Sequence, residues 1–289
     1  MASEAVFEEI NEAKVNLNDI YDRPDPRAYY RALEGLRYAI PGAAKPVFQR
    51  LIAHLQQDRD EAVRILDLGC SYGVNAALLR YNLSMPELFE HWGQDELTAV
   101  PSEEVVAHDQ RYFANLHDAG DIEMIGLDPA ENAVDFATEV GLLDQGIAAN
   151  LETEPLPAPA QATLAEVDMV ASTGCVGYVT EKTFERLLPA VSQGRSPWIA
   201  NFVLRMFPFA PIEAALSNWG YVTEKLDGRT FVQRRFATPG EQAQVLDQLR
   251  EQGIDPDGKE TQGHLLAEFY LSRPAREVAV APLATLIPA

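Results

Sequence analysis

Residues Arg64–Gly73 read R-I-L-D-L-G-C-S-Y-G. Ile65, Leu66 and Leu68 make a short apolar run around Asp67, which predicts a buried strand. The run breaks at Gly69, the turn closes at Gly73, and a helix-like stretch, Val74 to Tyr81, starts at once. A strand that breaks at glycine and opens directly into a helix brings bare backbone N–H groups and a helix N-terminus up to a ligand. This is the geometry of a nucleotide-cofactor loop.

A dinucleotide loop would read G-x-G-x-x-G and present its helix end to a pyrophosphate. The pattern here is instead D-x-G-x-S-x-G, from Asp67 to Gly73. It resembles the first motif of class I S-adenosylmethionine (SAM) dependent methyltransferases, D/E-x-G-x-G-x-G, with the small residue Ser71 in place of the middle glycine. SAM has no phosphate, but its methionine end carries an ammonium that a carboxylate can bind. An ordinary tight strand-to-helix turn would look similar at this one place.

Three further stretches follow in the order that the resemblance implies. Met124–Pro129 is a second apolar strand ending in Asp128, before a helix pattern from Glu131 to Gly141. An acid at that strand end accepts the ribose hydroxyls of a bound nucleoside, although Asp before a helix is also a favoured N-cap. Gly146–Glu152 is a third run, in which the resemblance places Asn150 at the adenine amino group and the Leu151 N–H at the ring nitrogen. Val167–Val179 reads as a central strand entering a substrate loop, followed by a helix from Glu181 to Leu188. The cofactor set implied by the resemblance is Asp67, Gly69, Ser71, Tyr72, Gly73, Asp128, Pro129, Asn150, Leu151, Glu152, Thr173 and Gly174.

Further along, Trp198–Phe207 reads as a fifth strand, Pro211–Trp219 as a short helix and Pro239–Gln252 as a longer one. Tyr221–Phe236, broken by Asp227-Gly228, reads as a hairpin, and Leu265–Ser272 as the final strand. Ahead of the first strand, Ala5–Leu17, Pro26–Ile40 and Lys45–Gln57 carry helix spacing. Alternating strands and helices predict a parallel sheet covered on both faces. The expected fold is α/β: a Rossmann-like doubly wound seven-stranded sheet, mostly parallel with an antiparallel last strand, plus N-terminal helices and a helical insertion. The expected division is a helical cap over 1–60 and a SAM-binding domain over 61–289.

The insertion spans residues 81–121, between the first acid and the ribose acid, which a plain βαβ unit separates by only about 20 residues. Pro86–Trp92 and Ser102–Leu116 within it have helix spacing, and His91, His108 and His117 fall there. It reads as a lid, a dimerisation arm or a surface helical pair. His108 and His117 are not at i, i+4 spacing and no cysteine cluster joins them, so no metal is expected. The other candidate lid is Tyr21–Tyr30, where Tyr21 and Tyr29, with Arg23 and Arg27, suit a charged substrate, or simply pack. The residues singled out at the reacting end are Tyr178, Tyr21 and Tyr29. Cys175 reads as a small filler.

The formal charge is −21, from 44 acidic and 23 basic residues, and opposes binding to phosphate backbones. The N/D-P-P-Y motif of base-amine methylation is also absent, with Ser172-Thr173-Gly174-Cys175 in its place. A nucleic-acid partner is therefore not expected. Nor is a membrane one, since no apolar run approaches the roughly 20 residues a bilayer requires. Cys70 and Cys175 are too few for a disulfide framework, and Met1–Asp22 lacks the pattern of a leader, so a cytoplasmic protein is expected.

The resemblance thus implies a SAM-dependent methyltransferase acting on a small molecule through an amine, thiol, thioether or acidic-oxygen acceptor, and a homodimer is possible. Two alternatives share the same motifs: SAM-consuming chemistry such as cyclisation or elimination, and a non-catalytic partner that keeps the fold.

Overall fold

The computed structural model describes residues 18–57 and 59–288; the expected helix over Ala5–Leu17 lies outside them. Eight strands form one sheet: β1 (Val63–Leu68), β2 (Ile122–Asp128), β3 (Gln145–Ala148), β4 (Met169–Thr173), β5 (Trp198–Leu204), β6 (Tyr221–Lys225), β7 (Phe231–Arg235) and β8 (His264–Pro274). The order is β3-β2-β1-β4-β5-β8-β6, with β7 also on β8. Strands β1 to β5 are parallel, and β8 runs antiparallel to β5. The sheet is seven positions wide, as expected for the class.

The expected hairpin over Tyr221–Phe236 does not form. β6 pairs with the far end of β8 (Tyr221 opposite Pro274) and β7 with its near end (Phe231 opposite Ala267). Both run the same way, so they are two stretches of one edge strand, interrupted by residues 226–230. Leu226 stays buried in that interruption and its N–H donates to Phe269 O. Asp227-Gly228 has the chemistry of a hairpin turn, with Gly228 at φ +72°. The 11-residue β8 offers enough edge to hold both halves.

The parallel strands β1, β2, β4 and β5 are buried on both faces, which is why these segments read as continuous apolar runs rather than alternating ones, while the edge strand β3 buries only Ile147. Val63 and Ile65 enter one core layer with Phe48, Leu51 and Phe136. Leu66 and Leu68 enter the other, with Phe184, Leu187 and Leu249. The helix Ile40–Gln56 buries Ala44, Val47, Phe48 and Leu51 in the first layer, so it is part of the sheet's covering. It begins five residues before the expected start, with Pro41 in its first turn, where the missing N–H costs nothing. The preceding helix ends at Gly35, and Arg37 then takes a left-handed φ of +51° that turns the chain.

In the insertion, helices form over Met85–Gly93 and Ser102–Ala114. The first starts with a reciprocal cap: the Ser84 hydroxyl accepts from Glu87 N–H, and the Glu87 carboxylate accepts from Ser84 N–H at 2.8 Å. No helix among the described residues is long and apolar enough to cross a membrane.

Candidate functional site

A cavity of about 540 Å³ opens at the carboxyl ends of β1 to β4, where the strand order reverses between β1 and β4. Open α/β sheets bind ligands at this point. Of the residues named from sequence, Gly69, Ser71, Asp128, Pro129, Asn150, Leu151, Glu152, Thr173, Gly174, Tyr178, Tyr21 and Tyr29 line the cavity together. Asp67, Tyr72 and Gly73 are not on its wall.

The loop after β1 is held by positive φ angles at Gly69 (+77°), Ser71 (+46°) and Gly73 (+75°). A side chain at Gly69 would place its Cβ 2.7 Å from Cys175 Cβ. At Ser71 an L-residue holds the left-handed conformation, which costs about 1–2 kcal/mol. Its Oγ is buried without a protein partner. Its N–H donates to Asp128 Oδ2 at 2.9 Å, and Asp128 Oδ1 accepts from Ala130 N–H at 2.9 Å. Burial, the largest influence, raises the Asp128 carboxyl above its usual range against those two bonds.

Asp67 is fully buried just below the wall. Asn75 Nδ2 donates to its Oδ1 at 2.8 Å and also to Thr173 Oγ1 at 3.1 Å. Asp67 Oδ2 is buried without a partner. Desolvation pushes this carboxyl up to about 7; the Asn75 bond opposes the rise, and the Asp128 charge adds to it. Tyr72 faces the N-terminal segment instead of the cavity: its hydroxyl accepts from Arg23 N–H at 2.7 Å, and its ring packs on Tyr29 and Phe136.

At the far end, Asn150 Oδ1 accepts from Glu152 N–H at 3.0 Å. The Glu152 carboxylate accepts from Thr180 N–H (2.8 Å), Thr180 Oγ1 (2.8 Å) and Thr183 Oγ1 (2.5 Å). It therefore ties the loop after β3 to the loop after β4 and to the start of the Glu181–Val191 helix.

The roof comes from the N-terminal segment. Asp22 Oδ1 accepts from Asn132 N–H at 2.8 Å, which holds Asp22 and the neighbouring Tyr21 at the cavity. Ala39 N–H donates to Gln233 O and Arg235 N–H to Leu36 O, so the 36–39 segment lies on β7 and sets Tyr38 beside Gln233 on the wall. Tyr21 and Tyr29 pack edge to face with ring centroids 5.5 Å apart. Burial pushes the Tyr21 phenol up to about 12, and raises those of Tyr29, Tyr38 and Tyr178. Burial likewise pushes the Cys175 thiol up to about 12. These groups stay protonated at neutral pH.

Sequence reasoning missed Tyr38, Gln233 and Arg234 on this wall, and reached Asp22 only as part of the candidate lid Tyr21–Tyr30. Gln233 Oε1 is buried there without a protein partner, while Arg234 is paired with Glu241 at 2.6 Å. No local pattern marks Gln233 or Arg234, because their placement follows from β7 sharing the edge of β8. The insertion contributes no residue to the cavity, and none of its histidines lies on the wall. Its helices stand behind the Arg27–Gly35 helix, with Tyr30 stacked on Trp92 at 4.2 Å. Arg27 is used internally, on Asp25 at 2.7 Å and on the Leu97 and Val100 carbonyls.

No family model and no curated protein matches the sequence. Solved structures do match the fold. The plantazolicin methyltransferase BamL, in complex with a triazolic desmethylPZN analogue and SAH, aligns over 94% of this chain and 98% of its own, at 12% identity and a TM-score of 0.50. The related BpumL complex aligns over the same shares at 13% identity and a TM-score of 0.48. Magnesium protoporphyrin IX methyltransferase from Synechocystis PCC 6803, with bound SAM, covers 94% of this chain and 92% of its own at 12% identity and a TM-score of 0.37. The fold is Rossmann-like and is shared with the BamL structure.

Proposed function

We propose that the chain is a SAM-dependent methyltransferase of a small molecule, with an amine as the favoured acceptor within the classes open from sequence. The observation that carries the reading is the charge of the cavity. Its wall bears the carboxyl groups of Asp22 and Asp128, with Asp67 just beneath, and its one arginine is already paired to Glu241. A pyrophosphate cofactor would meet this field unfavourably, and the Ser71 N–H that it would use is taken by Asp128. A nucleoside bearing a sulfonium and an ammonium suits it.

Two orphaned buried atoms fit the same cofactor. Asp67 Oδ2 is an unpaired acceptor for the ammonium, and Ser71 Oγ is an unpaired hydroxyl on the wall. Asp128 would hold the ribose, and Asn150 with the Leu151 N–H would hold the adenine. The solved relative BamL is itself a methyltransferase seen with SAH, in line with this reading.

SAM supplies a methyl group already activated for in-line displacement, so alignment carries much of the rate. The chain's residues then have three tasks. Tyr21, Tyr29, Tyr38 and Tyr178 close the reacting end with aromatic surface, which excludes water and favours a cation at its faces. Glu152 fixes the loop that carries Tyr178. Gln233 Oε1 offers an acceptor to an N–H group. Among the described residues the wall carries no histidine or lysine and its phenols are neutral, so the acceptor must bring its own lone pair. Repulsion from Asp22 and Asp128 disfavours carboxylate acceptors.

Calorimetry with SAM and SAH, followed by transfer of labelled methyl from SAM to panels of amines, thiols and carboxylic acids, tests the reading. Label on amines supports it. Product formed from SAM alone favours cyclisation or elimination, and no heat with either nucleoside removes the cofactor assignment.

A further inference from the structure

Outside the cavity, a second constellation lies between the two insertion helices. Asp109, fully buried on Ser102–Ala114, receives two imidazole nitrogens on one oxygen: His91 Nε2 at 2.8 Å and His108 Nδ1 at 2.9 Å. Its other oxygen accepts from Trp92 Nε1 at 2.8 Å. His91 is 4% exposed, and its ring lies against Tyr112 at 4.0 Å. One ligand atom from each of His91, His108 and Asp109 lies within 4.8 Å of the others. The sequence comparison of His108 with His117 missed this group, because the partner of His108 is the residue beside it and a histidine one helix earlier.

We propose that His91 Nε2, His108 Nδ1 and an Asp109 oxygen form a binding site for a divalent transition metal ion, with Zn²⁺ the best match, that clips the insertion helices together. Two imidazoles and one carboxylate are a donor set that zinc takes in four-coordinate sites, with water in the fourth place. Around a tetrahedral ion with bonds of about 2.0–2.1 Å, donor atoms stand about 3.3 Å apart. The present N···O separations need to open by only a few tenths of an ångström. The Trp92 bond to the free carboxylate oxygen is the outer-shell support that a ligating carboxylate usually has. His108, with 40% of its side chain exposed, provides the way in.

The charge of the site argues in the same direction. Asp109 has no exposure and no Lys or Arg ion-pair partner among the described residues; its carboxylate is held by the two imidazoles and the indole alone, and a cation bound there would add the charge that they lack. The clip would also brace the reacting end. Trp92, next to His91, stacks on Tyr30, and Tyr30 packs on Tyr29 of the cavity wall at 5.2 Å. The role assigned here is positional, since none of the three ligands lies on that wall.

The test uses the full chain, stripped with a chelator and desalted. Titration with Zn²⁺ alone is followed by calorimetry and thermal unfolding, and Co²⁺ is followed by its visible absorption. One equivalent bound at micromolar or lower Kd is expected, with a rise in Tm and Co²⁺ bands of nitrogen and oxygen coordination. His108→Ala, at a half-exposed position that keeps the fold, should weaken binding at least tenfold and abolish the Tm rise. His117→Ala should leave both unchanged. Absence of saturable binding at one equivalent, or equal binding by wild type and His108→Ala, would overturn the site and leave the cluster as a hydrogen-bonded network.

Discussion

Asn75 Nδ2 donates to Asp67 Oδ1 at 2.8 Å, and this is the only hydrogen bond that the buried Asp67 carboxyl receives among the described residues. The helix after the glycine loop thus reaches back to the strand before it and satisfies half of an acid whose other oxygen has no protein partner.

Stability without cofactor should therefore fall as pH rises. The folded Asp67 carboxyl is raised to about 7, above its unfolded value, so its contribution is fully present below about pH 4 and is lost between there and about 7. The loss is on the order of 2–4 kcal/mol. Asp128 is raised as well and adds in the same direction. Urea unfolding from pH 5 to 8 should show the decline, and Asp67→Asn should flatten it; an equally steep decline in the variant would refute the assignment to Asp67.

Cofactor binding should carry the opposite slope. A cation placed at Asp67 Oδ2 pulls that carboxyl down, so binding below about pH 7 releases a proton and tightens as pH rises. SAM affinity should climb between pH 5.5 and 7, by at most about tenfold per unit, and level off above. Calorimetry in buffers of different ionisation enthalpy counts the proton. Asp67→Asn should abolish the release and weaken binding tenfold or more; proton release retained in that variant would show that another group is responsible.

Asp128→Ala should raise the SAM dissociation constant about tenfold or more, since a ribose bond of roughly 1.5–3 kcal/mol is lost. The loop bond from Ser71 N–H is lost at the same time. Urea unfolding reports that structural part separately, and an unchanged SAM affinity would exclude Asp128 from ribose binding.

Ser71→Gly separates loop strain from ligand contact. The variant relieves a φ of +46° and removes a buried hydroxyl without a protein partner. Against this it gains unfolded-chain entropy. A net stabilisation of about 1 kcal/mol is expected in urea unfolding. Weaker SAM binding at the same time would show that Oγ is used by the cofactor.

What was legible in the sequence was local. Asp67–Gly73 and Asp128 are each a strand end, a turn and a helix start in consecutive residues, so their local geometry can be read where it stands. Glu152 was legible as a position but not as a contact, because its Thr180 and Thr183 partners belong to the next strand's loop. Gln233 and Tyr38 reach the cavity through sheet pairing and through the Ala39–Gln233 bridge, which no local pattern encodes. The hairpin reading failed for a related reason: a glycine turn between two extended stretches has the same sequence whether the stretches face each other or lie end to end on a third strand.

The tyrosines on the cavity wall give the last expectation. With the Tyr21 phenol at about 12 and Tyr178 also raised, neither group supplies a phenolate base in the working range. The pH–rate profile should therefore show no rising limb between pH 8 and 10 attributable to a phenol. Tyr21→Phe and Tyr178→Phe should each keep kcat within about tenfold, because the ring remains and the hydroxyl accounts for at most one hydrogen bond of about 1 kcal/mol. Tyr21→Ala removes the ring that packs on Tyr29 at 5.5 Å, opens the roof to water and should cost distinctly more. A Phe variant as damaged as the Ala variant would mean that the hydroxyl itself handles a proton, and the lone-pair reading of the acceptor would then have to be given up.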